Sequence, residues 1–190
     1  MNETKQYRIN ELFLSLQGEG YHTGQAAVFV RFSGCNLHCA FCDTEHASYQ
    51  LLTAQEITET VQQLSPDTDT LIVLTGGEPA LQIDEPLLHE LHTTGKTICI
   101  ETNGTIALPA GIDWITCSPK EGTQPVLTQA HELKIVFQGQ DVEQWTRKIT
   151  AQHLFLQPCS CQNTQEVIHY IIAHPWWRLS LQTHKYLSIR

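Results

Sequence analysis

Apolar residues fall into two patterns along this chain: short runs of four to seven, and longer stretches in which they recur every three or four positions. The short runs predict strands. Residues 7–16 alternate in part, residues 27–32 are continuously apolar but for Arg31, and residues 71–74, 97–100, 114–117, 133–137 and 153–156 are further runs. Runs of this kind suit strands buried on both faces of a parallel sheet. Residues 176–182 read as a last strand, with Thr183-His184-Lys185 opening the tail. The longer stretches predict helices. Thr53-Ala54-Gln55-Glu56 is a capping box, with Ile57, Val61 and Leu64 on the apolar face behind it and Pro66-Asp67 as the stop. Ile83, Leu87, Leu88 and Leu91 mark a second helix that stops at Gly95. Residues 141–149 can make a short helix, and residues 164–173 a third solid one with Val167, Ile168, Ile171 and Ile172 inside. Strand followed by crossover, repeated, calls for an α/β fold with helices packed outside a parallel sheet. With about six core strands and three solid helices, the chain predicts an incomplete, reduced (β/α)6-type partial barrel, parallel strands with few helices.

Composition narrows the class. The length of 190 residues suits one domain, residues 1–190. No apolar run approaches the ~20 residues of a membrane span, and the polar start Met-Asn-Glu-Thr-Lys-Gln lacks the core of a signal peptide. The expectation is a cytoplasmic protein with no membrane contact. The net charge of −9 opposes direct binding to nucleic acid. The seven cysteines are odd in number and clustered, which argues for a reducing compartment over a disulfide framework.

The cluster is Cys35-Asn36-Leu37-His38-Cys39-Ala40-Phe41-Cys42, and it follows a strand. Thiolates ligate iron–sulfur clusters and zinc. Three local cysteines leave one iron of a four-iron cube open, as a catalytic metal requires; a zinc site of the three cysteines with His38 is the alternative. Other polar motifs also fall where strands end: Gly76-Gly77-Glu78-Pro79, Glu101-Thr102-Asn103-Gly104, Ser118-Pro119-Lys120 and Gln157-Pro158. In folds of this kind the site lies at the carboxyl ends of the strands, so these motifs are expected to converge on one mouth. Arg31 is either an edge residue facing water or the partner of an anion. Gly18 and Gly20 read as a tight turn about Glu19. Cys99, Cys117, Cys159 and Cys161 read as ordinary small residues, and Trp176-Trp177 as packing or a dimer contact.

The cysteine triplet with Phe41 before its last member, and the Gly-Gly-Glu-Pro loop after the second barrel strand, resemble the radical S-adenosylmethionine (SAM) superfamily. More narrowly, Leu16-Gln17-Gly18-Glu19-Gly20, Glu101-Thr102-Asn103-Gly104, Ser118-Pro119-Lys120 and Gln182-Thr183-His184-Lys185 resemble the 7-carboxy-7-deazaguanine synthase family, over nearly the whole chain. That resemblance implies a lyase of queuosine and 7-deazapurine biosynthesis, a tRNA modification pathway. Such an enzyme converts 6-carboxy-5,6,7,8-tetrahydropterin to 7-carboxy-7-deazaguanine, contracting the ring and releasing ammonia after a 5′-deoxyadenosyl radical abstracts the C6 hydrogen. It implies a 4Fe–4S cluster on Cys35, Cys39 and Cys42, and SAM held by Phe41, Cys42, Asp43, Gly77, Ser118, Pro119, Lys120 and residues Gln157, Pro158, Cys159 and Ser160. Phe41 would offer an apolar face to adenine, unless it is a core residue of the loop. The resemblance places Mg²⁺ at Thr44 and the pterin against Leu16, Gln17, Gly18, Glu19, Arg31, Thr75, Glu101 and His184, with Arg31 on its carboxylate. Arg190 stands where the family often ends in a Pro whose carboxylate approaches the substrate. A flavodoxin or ferredoxin as electron donor and a homodimer are further implications. Rival readings are a glycyl-radical enzyme activase acting on a protein, and a non-catalytic iron–sulfur or zinc protein.

Overall fold

The computed structural model describes residues 5–42, 44–45 and 47–190. Nine strands form one sheet in the order β3-β1-β2-β4-β5-β6-β7-β8-β9. These are β1 (Gln6–Leu16), β2 (Ala26–Phe32), β3 (Gln50–Thr53), β4 (Leu71–Gly76), β5 (Ile98–Thr102), β6 (Trp114–Cys117), β7 (Gln129–Phe137), β8 (Thr150–Pro158) and β9 (Arg178–Leu179). From β2 through β9 every pairing is parallel, while β1 pairs antiparallel with both β2 and β3. The sheet therefore opens with a hairpin rather than a crossover, and β3 and β9 remain as edges: the barrel is partial, with few helices.

Helices α1 (Ala54–Leu64), α2 (Glu85–His92), α3 (Glu143–Thr146), α4 (Thr164–Ala173) and α5 (Thr183–Leu187) complete the elements. Thr53 caps α1 as the sequence predicts, its hydroxyl accepting from the Glu56 N–H while the Glu56 carboxylate accepts from the Thr53 N–H at 2.8 Å. Asp84 caps α2 through the Leu87 N–H at 3.1 Å. Ile57, Val61, Leu87, Leu88 and Leu91 are buried with Val28, Val30, Phe32, Ile72, Leu74, Ile98 and Ile100, so α1 and α2 cover the outer face of the first half of the sheet. A second core joins Leu133, Ile135 and Leu156 to Trp145, Val167 and Trp177 from the α3 and α4 side.

Two expectations about this second half fail. Ile172 is 73% exposed, not inside: at about 100° per residue it lies about 140° around α4 from the buried Val167, whereas Ile171 lies about 40° away. The last strand shrinks to Arg178–Leu179, because Trp177 turns inward, 1% exposed, and donates its indole N–H to Glu143 at 2.8 Å. Trp177 is therefore packing, while its neighbour Trp176 stays exposed.

The inner face has its own filling. Ala27, Leu71, Val73 and Cys99, with Phe29 and Trp114, plug the amino-terminal half of the barrel. Below them Trp114 is stacked on Tyr21 (4.9 Å between ring centres), on His131 (5.1 Å) and on His153 (5.8 Å). This stack fastens the loop between β1 and β2 to the barrel floor. Burial lowers the pKa of His153, and Arg178, His131 and His22 lower it further. A fold that favours the neutral imidazole gains stability from it above the unfolded value of about 6.5 and loses that contribution as the pH falls. The change in melting temperature between about pH 7.5 and 5.5 should therefore differ between the native chain and His153→Phe, with the native chain losing more on acidification. Parallel profiles in calorimetry would contradict this.

Candidate active site

The carboxyl ends of five parallel strands open into one cavity of about 490 Å³, whose lining includes Cys35, Gly76, Glu101, Ser118 and Gln157. Structural turns would scatter over both ends of a barrel; these motifs share one mouth.

The thiol end is built by the loop that leaves β2. Cys35, Cys39 and Cys42 are free thiols on the cavity wall, the first two half-buried and the third exposed. Burial raises the Cys35 pKa, an N–H from Leu37 lowers it, and the charges of Glu78, Cys39 and Cys42 raise it. Lys120, on the wall of the same cavity, is the cation that interacts with Cys39. His38 is exposed and stands off the cavity that the three thiols line, and among the described residues no three Cys, His, Asp or Glu side chains gather about a single ion. Three thiols spaced round a shared hollow fit a polynuclear cluster, which offers a separate iron to each.

The Gly-Gly-Glu-Pro loop is laid directly against this one. The Gly77 N–H donates to the Phe32 carbonyl (3.0 Å) and the Glu78 N–H to that of Gly34 (2.9 Å). Gly76 has φ +124°, and a Cβ on Gly77 would overlap the Gly34 carbonyl oxygen. The close approach that these glycines permit is first of all that of the two loops to each other. Glu78, 1% exposed, then ties the loop to the end of β5: it accepts from the Ala80 N–H (3.0 Å), the Thr102 hydroxyl (2.8 Å) and the Asn103 N–H (2.8 Å). Asn103 in turn donates to Asn36 between the first two cysteines (3.0 Å).

The opposite end of the cavity is charged. Lys134 of β7 donates to Glu19 (2.7 Å) and to Glu101 (2.8 Å), with only 4% of its side chain exposed. Gln182 donates to the other oxygen of Glu19 at 3.0 Å, and Gln17 to the other oxygen of Glu101 at 3.3 Å. Burial raises the pKa of both carboxyls. For Glu19 the charge and hydrogen bond of Lys134, with the Gln182 bond, prevail and hold it at about 2. Glu101, which also feels Glu19 and Glu132, stays raised at about 7. Gly18 has no side chain because His184 packs on it, and Gly20 (φ +67°) abuts Glu132; only the second is the turn that the sequence predicts.

Of the residues predicted for SAM, Phe41, Cys42, Gly77, Ser118, Lys120, Gln157, Pro158 and Ser160 line the cavity, whereas Pro119 and Cys159 do not, and Asp43 lies outside the described residues. Lys120 donates to both the Ser118 carbonyl (2.8 Å) and hydroxyl (2.7 Å), and burial lowers its pKa. Of those predicted for substrate and Mg²⁺, Leu16, Gln17, Gly18, Glu19, Arg31, Thr44, Thr75, Glu101, His184 and Arg190 all line the same cavity. Arg31 is partnered within the protein: its Nε donates to Glu11 at 2.8 Å, and the Arg190 guanidinium meets the other oxygen of Glu11. Sequence reasoning missed Lys134 and Glu11, and gives Gln182 no role beyond its place in the motif Gln182-Thr183-His184-Lys185. A charge inside the apolar run 133–137 was the available signal for Lys134, since a buried ammonium needs partners.

The description "Radical SAM superfamily" belongs to the family model that matches residues 29–151. The 7-carboxy-7-deazaguanine synthase of Bacteroides thetaiotaomicron is 54% identical over 183 residues, covering 96% of this chain and 98% of that protein. The synthase of Bradyrhizobium diazoefficiens is 42% identical, covering 97% of this chain and 99% of that protein. Among solved structures, that of QueE from Escherichia coli superposes with a TM-score of 0.76 at 31% identity, covering 93% of each chain.

Removing Glu78 leaves a buried hydroxyl and two backbone N–H groups without their acceptor, at ~1–3 kcal/mol for each group left unpaired. Glu78→Ala should lower stability by about 3 kcal/mol and Glu78→Gln by less, read by urea unfolding of the cluster-free protein. Equal stability of Glu78→Ala and the native chain would show the tie to be dispensable.

Proposed function

The chain belongs to the radical SAM superfamily and, within it, to the 7-carboxy-7-deazaguanine synthase family, and from that premise we propose that it converts 6-carboxy-5,6,7,8-tetrahydropterin to 7-carboxy-7-deazaguanine, releasing ammonia. The observation that carries this reading is the pairing of two unlike ends in one cavity: three free thiols at one, and Glu19, Glu101 and Lys134 at the other. A cavity of about 490 Å³ with charges inside it suits a small polar heterocycle. A protein substrate, as an activase would take, needs an apolar docking face at the mouth instead.

A 4Fe–4S cluster and SAM, when bound, supply the one-electron cleavage that makes a carbon radical able to abstract hydrogen. The chain's residues hold and enclose them. Cys35, Cys39 and Cys42 would ligate three irons, and Gly77, which lines the cavity on the loop laid against theirs, would stand beside the methionine end. Ser118, Lys120, Gln157, Pro158 and Ser160 line the wall that would hold the nucleoside, and Phe41 would offer it an apolar face. At the other end Arg31 meets the pterin carboxylate in a charge-assisted pair, with Glu11 fixing the direction of its guanidinium. Gln17, Glu19, Thr75, Glu101 and His184 face the ring. The Ser15 hydroxyl donates to the backbone oxygen of Arg190 (2.6 Å), which keeps the end of the chain beside this site. Thr44 also borders a smaller hollow of about 400 Å³ with Glu45, and these oxygens would suit Mg²⁺ once substrate oxygens complete the shell. No helix among the described residues is long and apolar enough to cross a membrane. We place the enzyme in the cytoplasm as a homodimer, with a flavodoxin or ferredoxin as electron donor.

Anaerobically reconstituted protein with reductant, SAM and the carboxytetrahydropterin should yield 7-carboxy-7-deazaguanine with ammonia. Release of 5′-deoxyadenosine without that product would overturn the assignment. Cys39→Ala should abolish SAM cleavage. Arg31→Ala should raise KM by roughly tenfold or more while leaving slow uncoupled cleavage, as expected for losing a charge-assisted hydrogen bond of ~1.5–3 kcal/mol.

A further inference from the structure

Lys134 holds two carboxylates in the cavity. It sits in β7 between Leu133 and Ile135, which point into the outer core, and it points the other way, into the cavity. One ammonium meets two carboxylates there. The two are not equivalent. Glu19 has a short second bond from Gln182 (3.0 Å) and a favourable charge in His184, whereas Glu101 has only the long bond from Gln17 (3.3 Å). Glu101 is also the more crowded by negative charge. It faces Glu19 from the β1–β2 loop and Glu132 from β7, with Cys99 on its own strand held as a neutral thiol by burial; against the two carboxylates stand Lys134 and, across the cavity, Lys120.

One buried cation compensates one anion, so ionised carboxylates at Glu19 and Glu101, with the buried Glu132 on the same strand as Lys134, leave negative charge without a counter-charge in a largely enclosed site. A proton on Glu19 or Glu101 reduces that cost, and the less supported of the two takes it. We propose that Lys134 is a positioning residue that divides the two carboxyls into different roles, keeping Glu19 a permanent acceptor and leaving Glu101 as the carboxyl that exchanges a proton when the ring binds. The direction of the two titrations, Glu19 held low and Glu101 raised, agrees with the geometry. The split gives the cavity a pure acceptor beside a group able to donate when protonated and to accept when not. A heterocycle carrying both ring N–H groups and carbonyl or imine acceptors meets both; one with acceptors alone is refused by Glu19. This rests on the pterin reading only for the identity of the ring.

The free protein tests the division first. In wild-type protein labelled with ¹³C at glutamate carboxyls, the resonance lost in Glu101→Gln should titrate near neutrality, and that lost in Glu19→Gln should stay ionised below about pH 4. Both carboxyls titrating together in the ordinary range would overturn the proposal without any variant of Lys134 or any ligand. Calorimetry of cluster-free protein with 6-carboxypterin, in buffers of different ionisation enthalpy, should then reveal proton exchange on binding near pH 7. Lys134→Met should lose that exchange and weaken binding roughly tenfold or more, and Lys134→Arg should restore part of both. In the reconstituted enzyme KM should rise more than kcat falls, with a displaced pH profile, while melting separates misfolding from lost positioning. If wild type makes the deazaguanine and Lys134→Met keeps its KM and pH profile, this proposal fails and the function stands; if no deazaguanine forms but the two carboxyls titrate apart, the reverse holds.

Discussion

A lysine ammonium enclosed on all sides has to be met by carboxylates, because its desolvation is not otherwise offset. In this protein one carboxylate comes from beside an edge of the sheet and the other from its middle. Glu19 lies in the loop after β1, next to one edge, and Glu101 at the end of β5; Lys134 in β7 is beyond both. Satisfying Lys134 therefore draws the β1–β2 loop across the mouth of an open sheet. Other polar contacts follow the same path. The Gly20 N–H donates to Ser180 (2.9 Å), whose hydroxyl donates to Gln157 of β8 (2.8 Å), and the Thr183 N–H donates to the Gly18 carbonyl (2.9 Å). The loop and the C-terminal segment thus close, through side chains and a backbone hydrogen bond, a gap that strand pairing leaves open between β3 and β9. The substrate end of the cavity owes its wall to charge neutralisation as much as to the sheet.

Closure of this kind makes the two ends of the cavity physically different. The thiol end rests on backbone: two loops aligned by N–H to carbonyl bonds at Gly77 and Glu78, with Glu78 and Asn103 locking both to β5. Its geometry follows once glycine stands at 76 and 77. The charged end rests on side chains reaching from four separate segments, so its geometry follows from ionisation states. A change of protonation at Glu101 alters the second end and leaves the first in place.

How much of this the sequence discloses depends on the range of the rule involved. The capping box at Thr53, the buried faces of α1 and α2, and the five strand ends that share the mouth obey rules that act within a few residues or along one strand, and all are legible. Arg31 and Lys134 are the same signal, a charge in an apolar strand, yet the partners that explain Lys134, Glu19 and Glu101, lie 115 and 33 residues away. Glu11 escaped for a related reason. It is a polar position in an alternating strand, which solvent would explain, until the antiparallel register sets it opposite Arg31. Ile172 was misplaced because an all-apolar pair, Ile171-Ile172, does not declare which member faces inward; α4 packs through Val167, Tyr170 and Ile171.

The economy of the chain has a cause in the same division of labour. The crossovers from β5 to β6 and from β6 to β7 carry no helix. Each instead supplies a few apolar side chains to the outer face: Leu108 and Ile112 pack on the first core, and Leu127 on the second. Gly104 (φ +77°) turns the first of these connections tightly enough that a Cβ would crowd the Cys117 sulfur at 2.6 Å. The outer face of a central strand as short as Trp114–Cys117 needs little cover, and irregular chain provides it. Helices can be lost from these crossovers without loss of the site because the functional groups stand on strand ends and on the loops those ends carry. What such a pared barrel cannot lose is the means of closing its mouth, and that role falls to the β1–β2 loop, the C-terminal segment and the ammonium between Glu19 and Glu101.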